Sequence, residues 1–296
     1  MFRFLSLLFC FGFITLLVYH CDGARTLKVV TSFSILQDLT QQIAGPEIQV
    51  NTIVGPNSDA HVFQPTPETQ KLLSGADLVI INGLGFEGWI TRLIDASGFK
   101  GSITVASQGI KKRYVLDEKV FDPHAWHSIA AVKIYVRNIA RALCTLDPTN
   151  KDAYQQRLNC YLTKLNELDA WVSHSINTIP AQKRKIVTAH DAFQYYGKEY
   201  KLIFLAPQGV STESEPSAAQ VARLITQIKE EGIDALFIEN MASARLVEQM
   251  AAETNIRILG PLYSDALSEK TGPAATYFKM MRHNTEQLLG AMQGIY

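Results

Sequence analysis

Apolar positions along the chain fall into two alternating kinds of run. Short runs rich in β-branched residues lie at 27–33, 48–54, 76–81 and 102–106, while 35–43 and 86–96 repeat their apolar positions at helical spacing. Thr66-Pro67-Glu68 marks another helix start. It supplies a capping hydroxyl, a proline whose missing N–H is harmless in a first turn, and an acid near the positive end of the helix. The run at 76–81 reads as a strand covered on both faces. Strands that alternate with helical crossovers predict a parallel sheet in the first half.

From 128 to 179 the strand pattern disappears. Residues 129–146 read as one helix, Asp147-Pro148 opens a second, and Tyr154, Leu158, Leu162, Leu165 and Leu168 then recur at helical spacing toward Ile176. Such a helix, about 28 residues and ~40 Å long, can span both halves of the molecule. A coiled coil is the competing reading, but the stripe is too brief for sustained heptads. Beyond it, strands are predicted at 185–189, 202–206, 235–239 and 256–262, and helices at 192–199, 218–231, 244–254 and 274–293. A polar turn-forming loop occupies 211–217, and the halves share no sequence repeat. The expected fold is α/β: two lobes at 25–147 and 181–296, each a mainly parallel sheet with flanking helices, joined by one long rigid helix within 148–180.

The N-terminus changes where this fold is expected to work. Met1-Phe2-Arg3 precedes an apolar run at 4–19 broken only by Ser6, Gly12 and Thr15, and Cys21-Asp22-Gly23-Ala24 follows. That is the layout of a secretory signal peptide over 1–24, and the apolar core is short of the ~20 residues of a lasting span. Cys21 suggests a lipid site, but Val18-Tyr19-His20 lacks the small residues that lipoprotein processing favours, so a periplasmic chain without a lipid anchor is expected. The 28 basic residues equal the 28 acidic ones, which gives no bulk field for nucleic acid or anionic membrane. A monomer with locally recognised partners is expected. Cys144 and Cys160 remain after processing, either as a disulfide or as two buried thiols.

Four residues carry the candidate chemistry. His61 follows the second strand, His124 follows the fourth through a loop, His190 ends the first strand of the second lobe, and Asp265 follows its last strand. Parallel sheets bind ligands beyond the carboxyl ends of their strands, so two ligands from each lobe would meet in the interlobe cleft. Each histidine alone has a bland explanation as a surface or core residue. Together, three imidazoles and one carboxylate make a site for a single divalent cation. Pro65, Pro67 and Pro123 reduce the entropy lost on ordering the loops. Asp59, Asp122 and Asp191 are candidates to orient the imidazoles, with helix caps or turns as the alternative. His127, His174 and His283 lack comparable context and are left out of the site.

These segments carry a family likeness. Asp59-Ala60-His61-Val62-Phe63-Gln64-Pro65, Asn82-Gly83-Leu84-Gly85-Phe86-Glu87-Gly88-Trp89, Asp122-Pro123-His124-Ala125-Trp126, His190-Asp191-Ala192-Phe193, Glu213-Ser214-Glu215-Pro216-Ser217-Ala218 and Leu262-Tyr263-Ser264-Asp265 span nearly the whole chain. In that order they resemble the extracytoplasmic solute-binding proteins of zinc and manganese ABC importers. The resemblance implies two lobes on a rigid helix, a metal held by His61, His124, His190 and Asp265, and delivery to a membrane permease. His190, where manganese-type members often have glutamate, favours zinc as the softer partner of imidazole. The histidine-rich loop of many zinc members is missing, since 111–121 holds no histidine. Both ions are expected to bind, zinc more tightly. Against a zinc hydrolase stand the filled fourth position and the lack of a His-Glu-x-x-His helix; no Gly-x-Ser-x-Gly elbow occurs either. A metal-binding adhesin is the third reading.

Overall fold

A computed structural model describes residues 26–115, 119–233, 235–241 and 244–295. The expected signal peptide at 1–24 lies outside them. The first β-branched run forms β1 (Lys28–Phe33), and Val29 pairs with both Val50 and Leu78, which puts β1 inside the sheet. Its partners are β2 (Gln49–Val54) and β3 (Leu78–Ile81), with β4 (Ser102–Val105) beyond, all parallel in the order β2-β1-β3-β4. Helices α1 (Ser34–Ala44), α2 (Pro67–Ser74) and α3 (Ile90–Ser97) make the crossovers. Thr66 caps α2 as its sequence predicts: its hydroxyl accepts from the Thr69 N–H while the Thr69 hydroxyl accepts from the Thr66 N–H.

The helix expected from residue 86 begins later, at Ile90. Gly83, Leu84 and Gly85 all take positive φ (81°, 61° and 86°), a conformation no helix accepts. Glu87 holds this loop by accepting from the Asn82 and Gly83 N–H groups at 2.6 and 3.1 Å. A second departure is an antiparallel hairpin, β5 (Tyr114–Val115) with β6 (Val120–Phe121), ahead of His124. Strands of two residues are too short to show a period.

Ser128 caps α4 (Ile129–Leu146), and α5 (Lys151–Asn177) follows as the expected long helix. Tyr154, Leu158, Tyr161, Leu165, Leu168, Val172 and Ile176 bury one stripe of α5. That stripe packs on α1 and α4 at one end and on α6 (Gln194–Tyr200) and α9 (Tyr277–Gln293) at the other. The second sheet is again parallel, ordered β10-β9-β7-β8 from β7 (Lys185–Val187), β8 (Ile203–Leu205), β9 (Ala235–Glu239) and β10 (Arg257–Leu262). Its far face packs on α7 (Ala218–Glu231) and α8 (Arg245–Thr254) as a separate apolar cluster.

One continuous core joins everything else, from β1 and β3 through α4 and α5 to α9. Polar ties cross the same boundary. The Trp126 indole donates to the Ser264 carbonyl (2.8 Å), the Tyr277 hydroxyl donates to the Trp126 carbonyl (2.8 Å), and the Leu267 N–H donates to Ser34 Oγ (3.0 Å). The lobes therefore meet over a narrow cleft. Neither alternative for the cysteines holds: both thiols are free, Cys144 half-buried and Cys160 exposed. Helix phase explains this, because Asn159 and Cys160 lie on the solvent side of α5, off its buried stripe. No helix among the described residues is long and apolar enough to cross a membrane.

Candidate metal centre

All four predicted residues arrive in one place. His61 lies in the loop from β2 to α2, His124 between β6 and α4, His190 just past β7 and Asp265 just past β10. The strand ends all face the cleft, and in the second sheet the chain turns from β7 outward in both directions, so the switch between β7 and β9 opens directly on His190. His124, His190 and Asp265 are fully buried and His61 is 5% exposed.

Their inward atoms stand at the corners of a small polyhedron. His61 Nε2 and His190 Nε2 lie 3.3 and 3.4 Å from His124 Nε2. Asp265 Oδ2 lies 3.4 Å from His61 Nε2 and 3.2 Å from His190 Nε2, while Asp265 Oδ1 is 3.5 Å from His124 Nε2. All four ligand atoms fall within 4.8 Å of one another. A tetrahedron whose corners lie 2.0–2.1 Å from a central ion has edges of about 3.3–3.4 Å. The five spacings above, 3.2–3.5 Å, are of the size that ligands of one small ion require.

The charges agree with the geometry. Neither Asp265 oxygen has a hydrogen-bond partner, although the carboxylate is buried. An isolated carboxylate in such a place is costly unless a cation compensates it. Burial alone would raise the Asp265 pKa, but His190 and His124 outweigh it and hold the group well below the usual carboxylate range. Burial would likewise lower the His190 pKa, and here Glu239 and Asp265 prevail and hold it well above the ordinary imidazole value. The site is a buried carboxylate enclosed by three imidazoles.

Two acids set the ring tautomers. Asp122 Oδ1 lies 2.8 Å from His124 Nδ1 and Glu239 Oε2 lies 2.6 Å from His190 Nδ1. A proton held on Nδ1 leaves the Nε2 lone pair pointing inward. Of the three predicted orienting acids only Asp122 touches a ring. Asp59 instead accepts from the His61 N–H (2.8 Å) and from the Thr212 hydroxyl across the cleft (2.6 Å), and Asp191 accepts from the Gln194 side chain (2.6 Å). Sequence reasoning missed Glu239. Its one trace is an acid ending an otherwise apolar strand run, and the structure explains why β7 stops early: the Ala189 and His190 N–H groups donate to Glu239 Oε1 (2.9 and 3.0 Å) instead of continuing the ladder.

Aromatic rings pack against the ligands. Phe86 meets the His61 ring edge-on at 4.7 Å, and Trp126 stands 5.2 Å from His124. Beside them opens a cavity of ≈ 630 Å³ lined by His61, Phe86, Phe121, Pro123, Ser211 and Glu213. The histidines set aside in the sequence stay outside the cluster: His283 Nε2 lies 3.0 Å from the Pro261 carbonyl, and His127 packs on Phe193 with both ring nitrogens unpartnered.

The family model described as zinc-uptake complex component A, periplasmic, matches residues 29–291. The chain belongs to this family. Within the zinc-uptake component A family, likeness runs the length of the fold. Manganese ABC transporter substrate-binding lipoprotein PsaA of Streptococcus pneumoniae is 33% identical over 276 residues, which covers 90% of this chain and 89% of the relative. The periplasmic zinc binding protein TroA of Treponema pallidum superposes with a TM-score of 0.86 at 30% identity, over 90% of this chain and 99% of that one. A manganese-bound periplasmic metal binding protein of Candidatus Liberibacter asiaticus gives 0.82 at 29% identity, over 90% and 100% of the two chains. The two-lobed α/β architecture with a long connecting helix is that of the family.

Proposed function

We propose that His61, His124, His190 and Asp265 hold one divalent transition-metal ion, zinc or manganese, which the protein captures outside the cytoplasm and passes to the permease of an ABC importer. Asp265 carries the reading: a buried carboxylate with neither oxygen hydrogen-bonded, faced by three imidazole nitrogens at 3.2–3.5 Å. Membership of a family whose relatives are named as metal-transporter substrate-binding proteins supports the same conclusion. Zinc is the tighter ligand, because three imidazoles and a small polyhedron suit it and raw affinity places it above manganese. Four protein ligands leave no open position for a reacting water, so the site carries its ion and does not catalyse.

The functional units are lobes 25–147 and 181–296 on the connecting segment 148–180, working as a monomer, with 1–24 directing export. The streptococcal relatives are lipoproteins by name, so they give the expectation of an unanchored chain no support. That expectation is tested at Cys21: labelled fatty acid supplied to expressing cells should not be incorporated, and incorporation abolished by Cys21→Ala would refute it. The ion-carrying function is tested by thermal unfolding of chelator-stripped protein. A hundredfold excess of ion over its Kd should stabilise the fold by about 2.7 kcal/mol. A melting temperature that neither zinc nor manganese moves would refute the proposal.

A further inference from the structure

We propose that Thr212 and Asp59 form a latch across the cleft, and that this latch sets how long the protein keeps its ion. The inference rests on the carrier reading above and adds what holds the ion in. His61 is fixed differently from the other two ligand histidines. Acids hold the Nδ1 atoms of His124 and His190 at 2.8 and 2.6 Å, and among the described residues no carboxylate does the same for His61. Its loop is held through the backbone instead. Asp59 Oδ1 accepts from the His61 N–H (2.8 Å), and the Trp89 indole donates to the Ala60 carbonyl (2.7 Å). Asp59 Oδ2 accepts from the Thr212 hydroxyl of the other lobe at 2.6 Å, within the range of the stronger hydrogen bonds that carboxylates make. One side chain thus joins the backbone of a ligand to the opposite lobe.

The latch stands where an ion has to pass. His124, His190 and Asp265 are fully buried and His61 is 5% exposed, so an ion reaches or leaves the four ligand atoms only when a covering segment moves. Of the four ligands His61 lines the cavity beside the site, whose walls include Phe86 and Gly88 from the first lobe and Ser211 and Glu213, the neighbours of Thr212, from the second. Parting the 211–213 segment from the His61 loop widens this cavity toward the ligands and breaks the Thr212 hydrogen bond. The start of the loop has tethers of its own: the Asn57 N–H donates to the Leu267 carbonyl (2.9 Å), and the Asn240 side chain donates to Asn57 Oδ1 (3.0 Å). Those contacts anchor the loop near Asp265, two residues before Leu267. The Thr212 bond secures the end that carries His61. Removing it lowers the cost of opening and leaves every ligand in place, so the change falls on the rate of exchange.

Thr212→Val keeps the shape of the side chain and removes the donor, whereas Thr212→Ser keeps the donor. The test loads the full chain with zinc and follows transfer of the ion to a chromophoric chelator, at chelator concentrations on which the rate no longer depends. Dissociation from Thr212→Val should be about tenfold faster than native or more, and from Thr212→Ser within about twofold of native. Both variants should still bind one zinc per chain, which shows that they fold, and should take it up no more slowly than the native protein. Dissociation from Thr212→Val within about twofold of native would overturn the proposal. So would an equal acceleration in Thr212→Ser, which would assign the effect to the packing of the methyl group, and so would slowed association in Thr212→Val, which would make Thr212 a support of the ligand geometry and not a latch. A native chain that binds neither zinc nor manganese would refute the carrier reading itself, and this inference with it.

Discussion

Glu239→Gln tests whether an acid remote in sequence sets the site's chemistry. The amide keeps the shape of the side chain, and its oxygen can still accept from the Ala189 and His190 N–H groups, now at 2.9 and 3.0 Å. It loses the charge that stands 2.6 Å from His190 Nδ1. Without that anion the Nδ1–H tautomer is no longer enforced, and the Nε2 lone pair is no longer fixed on the ion. Loss of such a partner weakens metal affinity by about 10–100-fold, or about 1.4–2.7 kcal/mol. A second effect separates this from simple distortion. Burial pushes the His190 pKa down while Glu239 and Asp265 push it up further, so removing Glu239 lowers it. Fewer protons are then displaced when zinc binds at neutral pH. Competition against a chromophoric chelator gives the affinity, and calorimetry in two buffers of different ionisation enthalpy gives the proton count. Asp191→Asn, beside His190 in sequence but bonded to Gln194, should leave both unchanged. Native affinity and native proton release in Glu239→Gln would refute the reasoning.

Two further outcomes concern pH and the unpaired histidine. The raised His190 pKa stabilises the ion-free fold fully below about pH 6.5, and this contribution is lost as pH rises through the raised value. The lowered Asp265 pKa contributes above about pH 3.9 and is lost as pH falls through its depressed value. Ion affinity should therefore climb with pH, by up to about tenfold per unit for each displaced proton, and the zinc-induced rise in melting temperature should be larger at pH 8 than at pH 6. A flat profile across that range would contradict the raised His190 pKa. His127→Phe removes a fully buried ring neither of whose nitrogens has a hydrogen-bond partner of good geometry. Burial chiefly, then His124, lowers the His127 pKa to about 3, so its neutral form stabilises the fold above about pH 6.5 and progressively fails to below that. The variant should melt at or above the native temperature at pH 7 and gain further in acid; scanning calorimetry at pH 5 showing a loss of more than about 2 kcal/mol would refute this.

Much of this was legible from pattern. The periods of the runs located both sheets and the long helix, because buried parallel strands and one-sided helices each leave a distinct spacing of apolar residues. The ligands were readable for a related reason: in a parallel sheet the site lies past strand ends, so a histidine following such a run has a known address. What stayed hidden depends on contacts between distant segments. Glu239 is an ordinary strand residue until β9 and β7 pair and bring it to His190. The turn at 83–89 hides behind apolar residues at helical spacing because a single buried carboxylate, Glu87, winds it. The cysteine expectations failed on helix phase, which spacing along the chain does not weigh against the packing of a particular face.

The central claim is one ion held by four residues from two lobes. Equilibrium titration of chelator-stripped protein with zinc, followed by competition with manganese, tests it most directly when native protein is compared with His61→Ala, His190→Ala and Asp265→Ala. The account predicts one ion per chain, manganese displaced by zinc, and severely weakened binding in every variant, whether the altered residue belongs to the first lobe or the second. Undiminished stoichiometric binding in Asp265→Ala, or in changes confined to either lobe, would contradict it.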